Sequence, residues 1–171
     1  MSLKTYFEAY GFPVVFTRAA NVYGAGQQLY RIIPRTIFFI LTGRRLRLQG
    51  GGRSRRSFIH IRDVADATYR IAQQAAPGEG YHISTNEIVS IRELVECICG
   101  KMEASFAESV DVVEERLGKD AAYLLDSTKL REQLGWRDTI GLDAGLDECI
   151  AWVRENLDEL KHQPLDYVHK P

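Results

Sequence analysis

The chain has 171 residues, 45% hydrophobic and 26% charged, with a formal net charge of −1, a length that fills one hydrophobic core and is short for two. Its longest apolar run, Ile37–Leu41, falls far short of the eighteen or so residues of a membrane span. Met1-Ser2-Leu3 leads directly into the amphipathic Lys4-Thr5-Tyr6-Phe7-Glu8, so the expectation is a cytoplasmic protein with no signal peptide and no membrane partner. Cys97, Cys99 and Cys149 are odd in number and the first two point different ways on a helix, while the four histidines show no ligand spacing; structural thiols and no metal site are expected.

In chain order, residues 2–10 read as a helix closed by Gly11, with Pro13 just beyond. Pro13–Arg18 is a nearly continuous apolar strand of the kind buried in parallel sheets, and one such strand makes no sheet by itself. Asn21–Gly26 reads as a loop and Ile32–Leu41 as a helix with Pro34 in its first turn. Leu46–Gln49 is a short alternating strand, Gly50-Gly51-Gly52 a flexible link, and Phe58–Ile61 a further strand. Asp63 is the expected N-cap of a helix from Val64 to Ala75. Tyr81–Ser84 is a strand, and Ser90-Ile91-Arg92-Glu93 has capping-box spacing ahead of a helix to about Gly100. Val110–Val113 is a last strand. Asp126 or Ser127 opens a short helix ending near Gly135, and an amphipathic helix runs from Leu142 to Leu160 before a loosely packed polar tail.

The charge is divided along the chain. Residues 1–62 hold eleven Lys and Arg against the single acid Glu8, a formal +10, and residues 63–171 hold eleven against twenty-two acids, a formal −11. Either the first third carries an anion site or the two parts attract each other in the fold. The stretch from Gly43 to Arg56 holds six arginines around three glycines, and arginine's planar fork meets phosphate oxygens bidentately. A diphosphate, a nucleic-acid backbone and a solvated loop are all compatible with it. Only Phe58 follows as an aromatic, which disfavours single-stranded nucleic acid and its stacking platforms. Arg56, bordering a strand, is the arginine best anchored to rigid structure.

Arg18-Ala19-Ala20-Asn21-Val22-Tyr23-Gly24, Ile33-Pro34 and the run from Leu48 to Ala65 resemble the extended short-chain dehydrogenase/reductase family. Tyr81–Ser84, Arg116–Asp120, Asp126–Leu130 and Leu134-Gly135-Trp136 follow in that family's order and spacing. The closest pattern is that of NAD-dependent nucleotide-sugar epimerases and dehydratases, dTDP-glucose 4,6-dehydratases above all. The resemblance implies an α/β fold: the C-terminal, substrate-binding portion of such an enzyme with a remnant strand and helix of the Rossmann domain. Residues 1–28 would be that remnant, 29–161 the nucleotide-sugar-binding portion and 162–171 a tail.

By the same resemblance Asn21 touches the substrate phosphates and Arg56 clamps the pyrophosphate. The strand carrying Arg47 and Gln49 lies against the base, Arg116 reaches the nucleotide, Lys119 stands where dehydratases often have histidine, and Ser90 falls near a phosphate-facing asparagine. It further implies NAD as cofactor, a nucleotide-diphosphate sugar as ligand, no nucleic acid, and a homodimer of the complete enzyme. Tyr81-His82-Ile83-Ser84 departs from the family's usual Tyr-Asn-Ile-Gly, and Leu117 replaces a common proline.

No tyrosine is followed four residues later by lysine, and no Gly-x-x-Gly-x-x-Gly turn is present, so the catalytic pair and the main NAD motif of the family are not in these residues. Lys4 reads as a surface residue. The expectation is an inactive piece of a larger enzyme, a dTDP-glucose dehydratase or UDP-sugar 4-epimerase, the alternative being a non-enzymatic nucleotide-sugar or anion binding module.

Overall fold

The computed structural model describes residues 2–115, 118 and 120–167. In chain order it has α1 (Ser2–Tyr10), β1 (Phe16–Ala19), β2 (Asn21–Tyr23), α2 (Ile32–Leu41) and β3 (Leu46–Gln49), then a tight 3-10 turn at Gly50–Gly52. Next come β4 (Arg55–Arg56), β5 (Phe58–His60), α3 (Ile61–Gln74), β6 (Gly80–Ile83), β7 (Val89–Ser90) and α4 (Ile91–Lys101). The remainder is α5 (Phe106–Ser109), β8 (Val110–Val113), β9 (Ala122–Tyr123), α6 (Thr128–Leu134), α7 (Leu142–Glu155) and α8 (Leu157–Leu160).

Three strand pairs are parallel: β1 with β6, β2 with β5 and β3 with β8. Parallel neighbours require long crossovers, which here run through helices, and the result is the α/β class read from the sequence. The strand expected to stand alone therefore has a partner, with Phe16 opposite Gly80 and Ala19 opposite Ile83. The supposed loop at Asn21 is itself a strand. A small mixed sheet places β4 between β7, antiparallel, and β9, parallel.

Local signals set several helix ends. Gly11 takes φ +63 after α1 and Gly135 takes φ +61 after α6. The Ser90 hydroxyl accepts from Glu93 N at 3.1 Å while Glu93 Oε2 accepts from Ser90 N at 2.7 Å, closing the capping box of α4. Asp126 Oδ1 accepts from Thr128 N at 2.8 Å at the start of α6. Elsewhere the structure corrects the sequence. α3 begins at Ile61 with His60, not Asp63, as its N-cap. The last helix divides at Asn156 into α7 and α8. The triple glycine is no flexible link: all three residues have positive φ, and a Cβ on buried Gly52 would lie 2.8 Å from Arg92 N. The tail as far as Tyr167 is laid against the body, with Asp166 accepting from Arg35 at 3.1 Å and the Tyr167 ring 5.3 Å from Tyr30.

The largest core cluster joins α2, α4 and α7 through Ile33, Ile37, Phe38, Leu94, Ile98, Leu146 and Ile150, with Tyr23 and Phe58 from the strands. A second cluster packs Ile59, Ile71, Ile83, Leu130 and Trp136 around α3 and α6, and a third seats Leu46, Leu48 and Val110 on Val95 and Cys99. Cys99 and Cys149 are buried and Cys97 half-buried, all free; burial pushes the Cys149 thiol up to about 12, as suits inert structural thiols.

α7 reaches the strands because residue 145 is glycine. A Cβ there would lie 2.1 Å from the Tyr23 hydroxyl oxygen and 2.8 Å from two ring carbons. Alanine is the better helix former by up to about 1 kcal/mol, yet the overlap must push apart two elements of a close-packed core. Gly145→Ala is expected to lose about 1–3 kcal/mol net, measured as a lower midpoint of urea unfolding.

Candidate functional site

Arg56 sits at the centre of the mixed sheet, opposite Val89 on one side and Tyr123 on the other. Its guanidinium donates to the carbonyls of Arg55 at 2.8 Å and Asp120 at 2.9 Å, and no carboxylate among the described residues pairs with it. Main-chain contacts thus hold the fork in place while its charge and remaining donors stay available. Asn21 begins β2, where its backbone N and its Nδ2 both donate to Ser57 O at 3.1 Å. Because Ser57 directly follows Arg56, this pair of bonds locks the two predicted residues into one joint between β2 and β4.

The remaining predicted residues divide. Ser90 lies opposite Arg55 in β7, but its hydroxyl is engaged in capping α4, which is why the position favours serine. Arg47 and Gln49 are exposed on β3, while Leu46 and Leu48 are buried, so the strand presents one polar edge. That edge belongs to the β3–β8 ladder and not to the Arg56 sheet. Arg116 and Lys119 lie outside the described residues.

The other arginines of the Gly43–Arg56 stretch scatter. Arg45 pairs with Asp111 at 2.7 Å and donates to Val110 O at 2.8 Å. Arg44 lies over the Phe38 ring at 5.9 Å, and Arg55 donates to Ile88 O at 3.4 Å. Part of the chain's charge division is thus satisfied internally, Arg35–Asp166 and Arg62–Glu148 being further pairs across it. The glycine turn does not cradle an anion: a Cβ on Gly50 would fall 1.9 Å from a Glu115 carboxylate oxygen, so the turn faces negative charge.

Two neighbouring residues have roles that no local sequence pattern shows. Asp63 is buried: its Oδ1 accepts from Thr139 N at 3.0 Å and Thr139 Oγ1 at 2.8 Å, and its Oδ2 accepts from Ile140 N at 3.1 Å. His60 is wholly buried, its Nδ1 accepting from Arg62 N at 3.3 Å, which leaves the proton on Nε2, 3.5 Å from Glu148 Oε1. Tyr23 stacks edge-on against it at 5.3 Å. Burial raises the Tyr23 pKa far above its ordinary value and lowers that of His60, outweighing the pull of Glu148. Among the described residues no group of three or more His, Cys, Asp or Glu could hold a metal ion, and no helix is long and apolar enough to cross a membrane.

Parallel strand pairs covered by helices, with an asparagine and an arginine tied together at their joint, define a portion of an extended short-chain dehydrogenase/reductase. The chain belongs to the family described as GDP-mannose 4,6 dehydratase, whose profile matches residues 1–149. It is 34% identical over 165 residues to a mouse dTDP-D-glucose 4,6-dehydratase, covering 94% of this chain and 46% of that protein. A dTDP-glucose 4,6-dehydratase from Streptomyces venezuelae, solved with NAD bound, superposes with a TM-score of 0.88 at 31% identity over 92% of this chain and 48% of that one. An enzyme of Bordetella bronchiseptica in complex with NAD+ and UDP gives 0.80 at 26% identity, over 94% and 51%. The chain spans about half the length of these relatives, consistent with the C-terminal portion read from its sequence.

Asp63→Asn keeps the shape but turns an acceptor into a donor facing backbone N–H groups; it is expected to cost about 1.5–3 kcal/mol per charge-assisted bond set lost, read as a lower melting temperature. For His60 the folded state holds the pKa below its ordinary 6.5, so as pH falls the unfolded chain takes up the proton first. Its contribution to stability is full above about pH 6.5 and declines as pH drops through that value. Melting temperatures from pH 8 to 5 should show this fall, and His60→Asn, which keeps a capping acceptor, should flatten it.

Proposed function

We propose that these residues grip the substrate in an NAD-dependent nucleotide-sugar dehydratase of the dTDP-glucose 4,6-dehydratase kind, or in a related UDP-sugar epimerase. The observation that carries this reading is Arg56, a guanidinium held by two main-chain carbonyls and locked through Ser57 to Asn21. A diphosphate carries two neighbouring negative groups and needs donors from separate elements. Arg56 supplies the bidentate fork, and Asn21 keeps the second hydrogen of its amide. The polar edge of β3, with Arg47 and Gln49 exposed, provides groups to line the nucleotide base. Arg116 and Lys119 complete the proposed ligand set and Ser90 holds the end of α4 beside it, with 1–28, 29–161 and 162–171 as the corresponding divisions of the chain.

The donors in these residues do not fit a dinucleotide. The Gly50–Gly52 turn faces Glu115, and the sequence contains neither Tyr-x-x-x-Lys nor Gly-x-x-Gly-x-x-Gly. In this reading NAD is held by other residues of the whole enzyme, a homodimer, and the chain's task is to bind and orient the nucleotide so that the sugar is presented to that cofactor.

The test is calorimetric titration of the whole protein with dTDP-glucose and UDP-glucose, together with an assay of dTDP-glucose dehydration. Arg56→Ala should weaken binding by about 1.5–3 kcal/mol, whereas Arg53→Ala, on the exposed turn, should change it little. An unchanged dissociation constant for Arg56→Ala would remove Arg56 from the site. Failure of the wild-type protein to bind either nucleotide sugar would overturn the reading.

A further inference from the structure

A cavity of about 690 Å3, with neither Asn21 nor Arg56 in its lining, opens between the loop joining β2 to α2, the α7–α8 corner and the tail. Its volume lies within the range of small-molecule sites. Leu29 and Leu160, 1% and 7% exposed, form its floor. Three aromatic rings stand around it, those of Tyr30, Trp152 and Tyr167, and Tyr167 belongs to the tail, so the tail is one of its walls.

The polar groups select the ligand. No lysine or arginine lines the cavity, which excludes an anion. Gln27 Nε2 donates to Val22 O at 2.7 Å and Asn156 Nδ2 donates to Trp152 O at 2.8 Å. Both amides are thus pinned by their nitrogens, which leaves their carbonyl oxygens as pre-oriented acceptors for hydroxyl or ammonium donors. A cation is disfavoured because cationic groups are already present: Arg31 lies over the Tyr30 ring at 5.3 Å, and Arg35 neutralises Asp166 at 3.1 Å. What remains is a neutral ring with many hydroxyls, whose C–H faces suit the aromatic walls and whose O–H groups suit the amide oxygens and the Glu159 carboxylate.

We propose that this cavity binds a neutral saccharide of one or two rings, at a site separate from the Asn21–Arg56 joint and independent of the nucleotide-sugar reading. Free sugar and the end of a longer glycan share that chemistry. Trp152 lines the cavity, whereas Trp136 is wholly buried in another cluster, so a fluorescence change that is lost in Trp152→Phe reports occupancy.

The experiment titrates the whole protein and its Trp152→Phe variant with glucose, maltose and maltotetraose while following tryptophan fluorescence. The expected result is a saturable change with a dissociation constant on the order of 1 mM. Asn156→Ala, which removes an acceptor, and Tyr167→Ala, which removes the tail's wall, should each weaken it about tenfold while circular dichroism shows an unchanged fold. Maltotetraose binding as well as maltose would assign the site to a glycan end, and binding of glucose or maltose alone to free sugar. No saturable change with any of the three overturns the proposal, as does a response equal in both variants. A response to tetramethylammonium with none to the sugars overturns it in favour of an organic cation.

Discussion

The close approach of α7 to β2 at Gly145 and Tyr23 is the contact on which the rest of the molecule depends. With no Cβ in the way, the Tyr23 ring lies directly against the helix and its hydroxyl reaches Gly141 O at 3.5 Å. That seats Leu146 and Ile150 on α2 and α4, and it roofs His60, whose ring meets Tyr23 edge-on. β2 is thereby held between α7 on one side and β5 beside it, and β2 begins with Asn21. The position of the candidate phosphate grip is set by a glycine more than 120 residues further along the chain.

What could be read from the sequence follows from the range of the interaction concerned. α2 and β3 have the bounds their patterns predict, and the Ser90–Glu93 capping box is present as spaced, because each is decided by residues within one or two turns. Asp63 and His60 could not be placed that way. Both stand where an N-cap would, but Asp63 has partners at Thr139 and Ile140, a separation of 76 and 77 residues. With the carboxylate drawn into that distant turn, the imidazole nitrogen of His60 takes over the cap and α3 begins earlier. The pairing of β1 with β6 is likewise a long-range event that no local pattern encodes.

The arginine-rich stretch shows why composition overstates a site. Six arginines in fourteen residues suggest one anion patch, but β3 alternation and the turn at Gly50–Gly52 send neighbouring side chains to different surfaces. Arg45 is consumed by Asp111 and by carbonyls near α5, and Arg44 by Phe38. Exposed pairs of this kind contribute little to stability, yet they remove those arginines from service to a ligand. Arg56 differs because its partners are neutral carbonyls, which fix the guanidinium without cancelling its charge. Arg56 lies within β4, between β7 and β9, and that position gives it two strand neighbours and a defined direction.

The joint and the cavity use the same loop in opposite senses. Residues 24–31 leave the end of β2 and turn back to start α2, so Asn21 stands at their entrance while Leu29 and Tyr30 form part of the cavity wall. Gln27 ties the loop to the Val22 carbonyl, one residue beyond Asn21. Any ligand that orders the loop from the cavity side must act on a segment whose near end is already clamped by Ser57 and Tyr23. Coupling between the two sites would therefore be carried by how far that clamp yields, and a buried ring wedged against a helix with no Cβ between them has little room to yield.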